Sequence, residues 1–239
     1  MKDGLTDLEK KIPSNVENED FQNFEKLVNI ETTQADAPLA MEIKKNIPIY
    51  SGQLVRDRAN SFEGKQELLT EWTSIFESGA GIIAISNAIE STSVIDIATT
   101  NFEEIINSEK LNGNVSDHFA KPGANDRVWN SLQKHCMKDP QNFIDYYCSE
   151  TIALASEAWL GPNYQVTAQV NRVNPGGEAQ KAHRDYHLGF MSAEQSANFP
   201  LHVHAMSPYL TLQGAIAHCD MSIESGPTLL LPYSQKYKK

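Results

Sequence analysis

Cysteine is scarce in this sequence, with three residues among 239. The number of cysteines is odd, and none of them forms a Cys-x-x-Cys pair, because they lie apart at Cys136, Cys148 and Cys219. Disulfide scaffolds carry dense, paired cysteines, so the sequence argues against such a scaffold and favours a reducing compartment. We therefore expect a cytoplasmic protein.

A basic surplus and a long apolar run are also missing. The chain has 31 acidic and 20 basic side chains, which gives a formal net charge of −11. Nucleic acids and anionic membrane surfaces favour basic partners, so neither is expected to bind. No stretch approaches the roughly 18 apolar residues of a membrane helix, and the first residues show no apolar leader, so no secretory signal is expected.

The length and the composition fit one sizeable globular domain, since 40% of the 239 residues are hydrophobic. Residues 1–60 are polar, weakly patterned and interrupted by Pro13, Pro38 and Pro48. We interpret them as a mobile or loosely packed arm with one short amphipathic helix. Residues 61–239 are then the folded domain.

Apolar periodicity predicts three helices in that domain, and short alternating or apolar runs predict strands. The helices are expected at 65–76, 93–109 and 139–159; Asp139 is placed to cap the last one and Pro140 suits its first position. The expected strands lie at 82–85, 164–173, 182–189, 202–205, 209–217 and 228–232.

The predicted strand at 182–189 carries the most informative pattern, His183-Arg184-Asp185. Alternate side chains of a strand share a face, so His183 and Asp185 point the same way. An imidazole and a carboxylate so placed are two of the three ligands of a two-His-one-carboxylate iron site. His187 shares this face but lies about 13 Å from His183 at roughly 3.3 Å per residue, so we expect it to meet substrate.

Two other interpretations of these histidines stay open. His183 and Asp185 could pair with each other on an ordinary surface strand. His202-Val203-His204 is a rival metal site, because two imidazoles at i and i+2 of one strand can chelate zinc. No further ligand follows at a suitable spacing, so His204 is assigned to the mouth of a site instead.

Several further motifs accompany the His-x-Asp pair in a fixed order. They are Ala168-Gln169-Val170-Asn171, Pro175-Gly176-Gly177 and the run from Glu224 to Lys236, ESGPTLLLPYSQK. In this order they resemble the phytanoyl-CoA dioxygenase family, and the resemblance extends from about Glu67 to the end of the chain.

The resemblance implies an α+β protein with a double-stranded β-helix core and with amino-terminal helices packed outside the sheet. It implies an oxygenase that uses Fe(II), 2-oxoglutarate and O2 to hydroxylate a small organic substrate, which the sequence does not identify. His183 and Asp185 would be the metal ligands. The family places its distal histidine and a 2-oxoglutarate-binding arginine after the Gly226 turn, where we find no equivalent, so we expect an incomplete, inactive amino-terminal fragment.

Polar residues near the predicted metal strand are candidates for binding the small molecules. Gln169 and Asn171 share one strand face, which is either the solvent face or, as we favour, the interior of the barrel. In that case they hydrogen-bond 2-oxoglutarate or substrate. The loop at 117–130 is either a solvated connector or part of the site, with Lys121, Arg127 and Trp129 lining the substrate.

Two other functions remain possible from the sequence. The chain could be a non-catalytic jelly-roll module that binds a partner without turnover. It could also be a zinc cupin-like enzyme that uses His202 and His204. The oligomeric state is not indicated by any pattern.

Overall fold

The computed structural model describes residues 14–112, 123–177, 180, 182–187, 189 and 193–237. Helices dominate the described residues, and most of them precede residue 161. They are α1 (Ser14–Val28), α2 (Gly52–Ala59), α3 (Phe62–Glu77), α4 (Thr92–Leu111), α5 (Ser131–Lys138), α6 (Pro140–Tyr147), α7 (Glu150–Leu160), α8 (Ala193–Ser196) and α9 (Leu201–Met206), with short 3-10 helices at Ser207–Leu210, Ile223–Ser225 and Ser234–Lys236.

The described strands form two small sheets. In the first, β1 (Glu42–Lys44) pairs antiparallel with β2 (Ile47–Ser51), which pairs in parallel with β3 (Ala84–Ser86). In the second, β4 (Asn125–Val128) pairs antiparallel with β5 (Val170–Val173). The protein is therefore α+β, as predicted, while the described residues form no double-stranded β-helix.

The main core joins the first sheet to α3 and α7. Tyr50, Leu68 and Trp72 are fully buried in it, and the rings of Tyr50 and Trp72 meet edge to face at 5.5 Å. The Tyr50 hydroxyl donates to the Glu71 carboxylate at 2.6 Å. Burial, reinforced by that hydrogen bond and the charge of Glu71, raises the pKa of Tyr50 above its ordinary value.

This core includes part of the predicted loose arm. Ala37, Tyr50 and Val55 are fully buried, so the prediction of loose packing is wrong for this part of residues 1–60. The local reason is a tight hairpin: Lys45 and Asn46 both have positive φ, as a two-residue turn between twisted strands requires. The placing of a domain boundary near residue 60 stays a prediction.

A second cluster lies between α4 and α6, where Ala98, Phe102 and Tyr146 are buried. Val170 of β5 packs against this cluster from the second sheet. The β4–β5 pair is thus fixed to the helical half of the protein through one of its faces. The opposite face is left for the polar side chains described below.

The helix predictions at 65–76 and 93–109 are confirmed by α3 and α4. The predicted helix 139–159 is instead two helices, α6 and α7, because Ser149 between them is extended (φ −68°, ψ 115°) and its hydroxyl donates to the carbonyl of Ala88. None of the helices in the described part of the chain is both long and apolar enough to cross a membrane.

Several strand predictions are wrong. Residues 182–187 are irregular, 202–205 lie in helix α9, and 209–217 and 228–232 contain no strand. Of the other two, 82–85 and 164–173 are strands only in part, at β3 and β5. The runs at 182–187, 209–217 and 228–232 have no ladder partner among the described residues. In the last of them, the side chains of Leu229, Leu230 and Leu231 are at least half exposed.

Candidate functional site

The His-x-Asp pair stays together although its segment is not a strand. His183 Nε2 and Asp185 Oδ1 are 3.4 Å apart, and both side chains are about half exposed, at 52% and 44%. The backbone of residues 182–187 has no regular hydrogen-bond ladder. The two side chains therefore lie close together without the alternation of a strand.

The chemistry of this pair fits a divalent transition metal. Two donor atoms at about 2.1 Å from one ion and at right angles to each other are about 3.0 Å apart, so the observed 3.4 Å is close to the spacing of adjacent ligands. An imidazole and a carboxylate are also the donors that hold ferrous iron in open sites. The same geometry equally allows direct pairing of the two side chains.

A third protein ligand is not grouped with this pair. Within the described part of the chain, no three His, Cys, Asp or Glu side chains lie close enough to hold one metal ion. His218 and Asp220 form a second His-x-Asp sequence. The His218 ring is bound by other side chains and does not join the His183–Asp185 pair. Its Nδ1 lies 2.8 Å from the hydroxyl of Thr99 and its Nε2 lies 2.7 Å from the hydroxyl of Tyr146.

Polar residues predicted to bind small molecules meet on one face of the β4–β5 pair. Arg127 lies directly opposite Asn171 in the ladder. The Arg127 guanidinium donates to Gln169 Oε1 at 3.1 Å and lies 5.3 Å from the centre of the Trp129 ring. Arg127 and Trp129, predicted from the loop, and Gln169 and Asn171, predicted from the strand, therefore form one group with a cationic centre.

The opposite side of the same ladder explains why this face points outward. Asp126, buried between the sheet and α4, is paired with Arg172 at 2.6 Å and Lys110 at 2.7 Å. Burial raises the pKa of the Asp126 carboxyl, but the hydrogen bonds from Lys110 and Arg172 outweigh burial and hold that pKa below its ordinary value. With Asp126 and Arg172 committed to the inner side, Gln169 and Asn171 are exposed.

The zinc alternative at His202 and His204 loses its geometric basis. Both residues lie in helix α9, and residues two apart on a helix do not face each other. His202 is exposed, whereas His204 packs against Tyr186 and its Nε2 lies 3.2 Å from the carbonyl oxygen of Phe199. His204 therefore neighbours the His-x-Asp segment without joining His202 at a metal.

The structure adds two residues that sequence reasoning did not single out, Tyr186 and Ser207. The ring of Tyr186 contacts those of His187 and His204, with ring centres 4.7 and 5.7 Å away. Ser207 is buried, and its hydroxyl oxygen accepts the backbone N–H of His187 at 3.1 Å. The sequence alternation had placed Tyr186 on the face away from His183, and nothing in the sequence relates Ser207 to this segment.

Lys121, predicted to line the substrate, lies outside the described residues, as does His118 of the same loop. The remaining predicted residues therefore form two groups. One contains His183, Asp185 and His187 with Tyr186 and His204, and the other contains Arg127, Trp129, Gln169 and Asn171.

Comparison with known proteins gives one match. A family model described as phytanoyl-CoA dioxygenase (PhyH) matches residues 68–239, which is most of the chain and includes both groups. No curated protein and no solved structure matches the chain.

Proposed function

The chain belongs to the phytanoyl-CoA dioxygenase family, and from that premise we propose that it is an Fe(II)- and 2-oxoglutarate-dependent oxygenase that hydroxylates a small organic molecule. The observation that carries the proposal is the His183–Asp185 pair at 3.4 Å within the matched region. The double-stranded β-helix is proposed on the same ground, with β5 as one of its strands.

His183 and Asp185 would hold the iron. Asp185 contributes the negative charge that partly neutralises the ion, and His183 contributes a neutral nitrogen donor. Both side chains are about half exposed, so a cation can reach them without disruption of a buried core. When bound, iron with 2-oxoglutarate and O2 converts a C–H bond of the substrate to C–OH and releases succinate and CO2.

The second group would bind and orient an anionic molecule. The Arg127 guanidinium is held by Gln169 on one side and by the ring of Trp129 on the other. A guanidinium fixed in this way presents a rigid set of donors that matches a carboxylate. Asn171, directly opposite Arg127 in the ladder, adds an exposed amide to the same face.

The test is whether 2-oxoglutarate binds only when a metal is present. Under anaerobic conditions, calorimetry with Mn(II) in place of Fe(II) should detect 2-oxoglutarate binding to the full chain. Omission of Mn(II) or the variant Asp185→Ala should abolish that binding. Asp220→Ala is the matched control, since Asp220 is an exposed aspartate in the other His-x-Asp sequence. Equal binding with and without metal would refute the proposal.

A non-catalytic binding module is the second candidate, and one observation favours it. Only two of the ligands that an iron oxygenase needs are grouped among the described residues. For the same reason we expect weak iron binding and little succinate from residues 1–239 alone. Succinate well above a metal-only blank, formed from 2-oxoglutarate, would exclude the non-catalytic module and reveal a third ligand.

A further inference from the structure

Two polar atoms beside the His-x-Asp pair are buried and have no hydrogen-bond partner among the described residues. They are the hydroxyl oxygen of Tyr186 and Nδ1 of His187. The centres of their rings are 4.7 Å apart, so the two side chains are direct neighbours. Leaving one such group unsatisfied costs on the order of 1–3 kcal/mol, so two together indicate an absent ligand.

A third polar side chain, Ser207, contacts the same segment. Ser207, which is 3% exposed, already accepts the backbone N–H of His187, which leaves its own O–H available as a donor. The two charged residues just before Tyr186 have other partners: Asp185 lies 3.4 Å from His183 Nε2, and Arg184 directs its guanidinium to the carbonyl oxygen of Ser234 at 2.6 Å. The region therefore offers up to three donors: the hydroxyls of Tyr186 and Ser207, and Nδ1–H of His187.

We propose that Tyr186, His187 and Ser207 form a subsite that binds a carboxylate group; Tyr186 and His187 directly follow the proposed metal ligand Asp185 in the chain. A carboxylate has two oxygens and about four acceptor positions, so it can satisfy all three donors. A neutral amide presents one acceptor oxygen and would bring an N–H group to a region of donors. A phosphate with two charges would favour arginine or lysine, and Arg184, the described cation nearest in sequence, donates to the carbonyl oxygen of Ser234 instead.

The inference rests on the proposed function only for the origin of the carboxylate, which belongs either to a substrate that is an organic acid or to 2-oxoglutarate. The binding itself requires no metal. Absence of formate binding would therefore refute this subsite alone. Binding of 2-oxoglutarate that does not depend on metal would refute the proposed function.

The experiment is a titration of the full chain with sodium formate, followed by NMR of the histidine ring signals. His187→Gln identifies the His187 signal, and the exposed His202 is the internal control. We expect a saturable shift of the His187 signal, with a Kd no tighter than about 1 mM for a ligand of three non-hydrogen atoms. Formamide, similar in size but neutral, should cause no saturable shift.

Two variants test the donors. Tyr186→Phe and Ser207→Ala should each weaken formate binding at least fivefold. Tyr186→Phe should leave the Tm of the ligand-free protein unchanged or higher, because it removes a buried hydroxyl without a partner; a structural role for that hydroxyl would lower the Tm. The proposal is overturned if His187 shifts no more than His202, or if Tyr186→Phe binds formate like the wild type.

Adding 2-oxoglutarate together with Zn(II), a diamagnetic substitute for iron, separates the two sources of the carboxylate. If 2-oxoglutarate itself shifts the His187 signal and prevents formate binding, the subsite holds the co-substrate. If formate still binds, the subsite holds the carboxylate of a substrate acid. In both cases the carboxylate assignment stands.

Discussion

At the scale of single residues, the surroundings of two imidazoles, the buried His135 and the partly buried His218, favour their neutral forms. The Thr99 hydroxyl donates to the carbonyl of Ile95, so it accepts from Nδ1–H of His218, and Nε2 of His218 is left to accept from Tyr146. His135 is fully buried and donates from Nε2 to Asn142, while its Nδ1 has no partner within the described residues. A second proton on His135 would have no acceptor among the described residues, and a second proton on His218 would require the Tyr146 hydroxyl to accept instead of donate.

This arrangement makes stability depend on pH. Burial lowers the pKa of both imidazoles. At His218 the charge of His135 lowers the pKa further. At His135 the hydrogen bond to Asn142 and the charge of Asp139 partly oppose the effect of burial. The unfolded chain, with histidine pKa near 6.5, binds more protons below that pH, so the free energy of unfolding should fall as the pH drops below about 6.5 and level off below the native pKa values.

We expect His218→Gln to reduce this loss of stability. Glutamine can donate and accept a hydrogen bond at this position but does not titrate. Urea unfolding at pH 7.5 and pH 5 should show a smaller difference in the free energy of unfolding for this variant than for the wild type. His202→Gln, at an exposed position, is the control. An unchanged difference in His218→Gln would contradict a role for His218 in acid sensitivity.

Asn171 is expected to contribute to binding rather than to stability. Its side chain is exposed on the face shared with Gln169 and opposite Arg127. Asn171→Ala should weaken 2-oxoglutarate or substrate binding, by about tenfold for the loss of one good hydrogen bond, and change stability by no more than about 0.5 kcal/mol. Thr167→Ala, also exposed in the segment before β5, is the control. Normal ligand binding with a loss of several kcal/mol would indicate a structural role.

At the scale of helices and strands, local patterns were informative only where local contacts decide the structure. The 3.6-residue period of α3 and α4 is a property of the segment itself, so both helices were predicted. The run at 209–217 alternates in part and the run at 228–232 is apolar, as strands often are, yet a strand exists only with a partner, which the sequence does not specify. The Arg127–Asn171 pairing is likewise nonlocal, although each residue was identified separately.

The α6 helix depends on a cap that the sequence correctly suggested. The Asp139 carboxylate accepts the backbone N–H of Asn142 at 3.0 Å and the side-chain amide of Asn101 at 3.2 Å. Asp139→Ala should lower the free energy of unfolding by about 1 kcal/mol, within a range of about 0.5–2. Ser91→Ala is a matched control, because Ser91 precedes α4 without a side-chain capping bond. Equal effects in urea unfolding would show that the cap is unimportant.

At the scale of the whole molecule, residues near the end of the chain are fixed to its amino-terminal half. The Tyr233 hydroxyl lies 2.8 Å from that of Thr32, and its N–H donates to the carbonyl of Ala80. The Gln235 amide donates to the carbonyl of Gly79 at 2.9 Å. These hydrogen bonds join Tyr233 and Gln235 to the main core. Neither segment alone predicts them.

Gly81 makes this contact possible. Its φ is +75°, and a Cβ there would lie 2.3 Å from the side chain of Gln235. Gly81→Ala should cost about 1–2 kcal/mol for the left-handed conformation, and more because Gln235 must move. Gly176→Ala, with φ +84° and open space around its position, measures the backbone cost alone. Equal losses of stability in both variants would mean that the Gln235 contact contributes nothing.

The central claim is that His183 and Asp185 bind the iron of an oxygenase. The most direct measurement is anaerobic Fe(II) binding by the wild type, by Asp185→Ala and by Asp220→Ala. We predict one weakly bound Fe(II) per chain in the wild type and in Asp220→Ala, and its loss in Asp185→Ala, because that variant removes the anionic ligand of the pair. Fe(II) affinity unchanged in Asp185→Ala would contradict the claim.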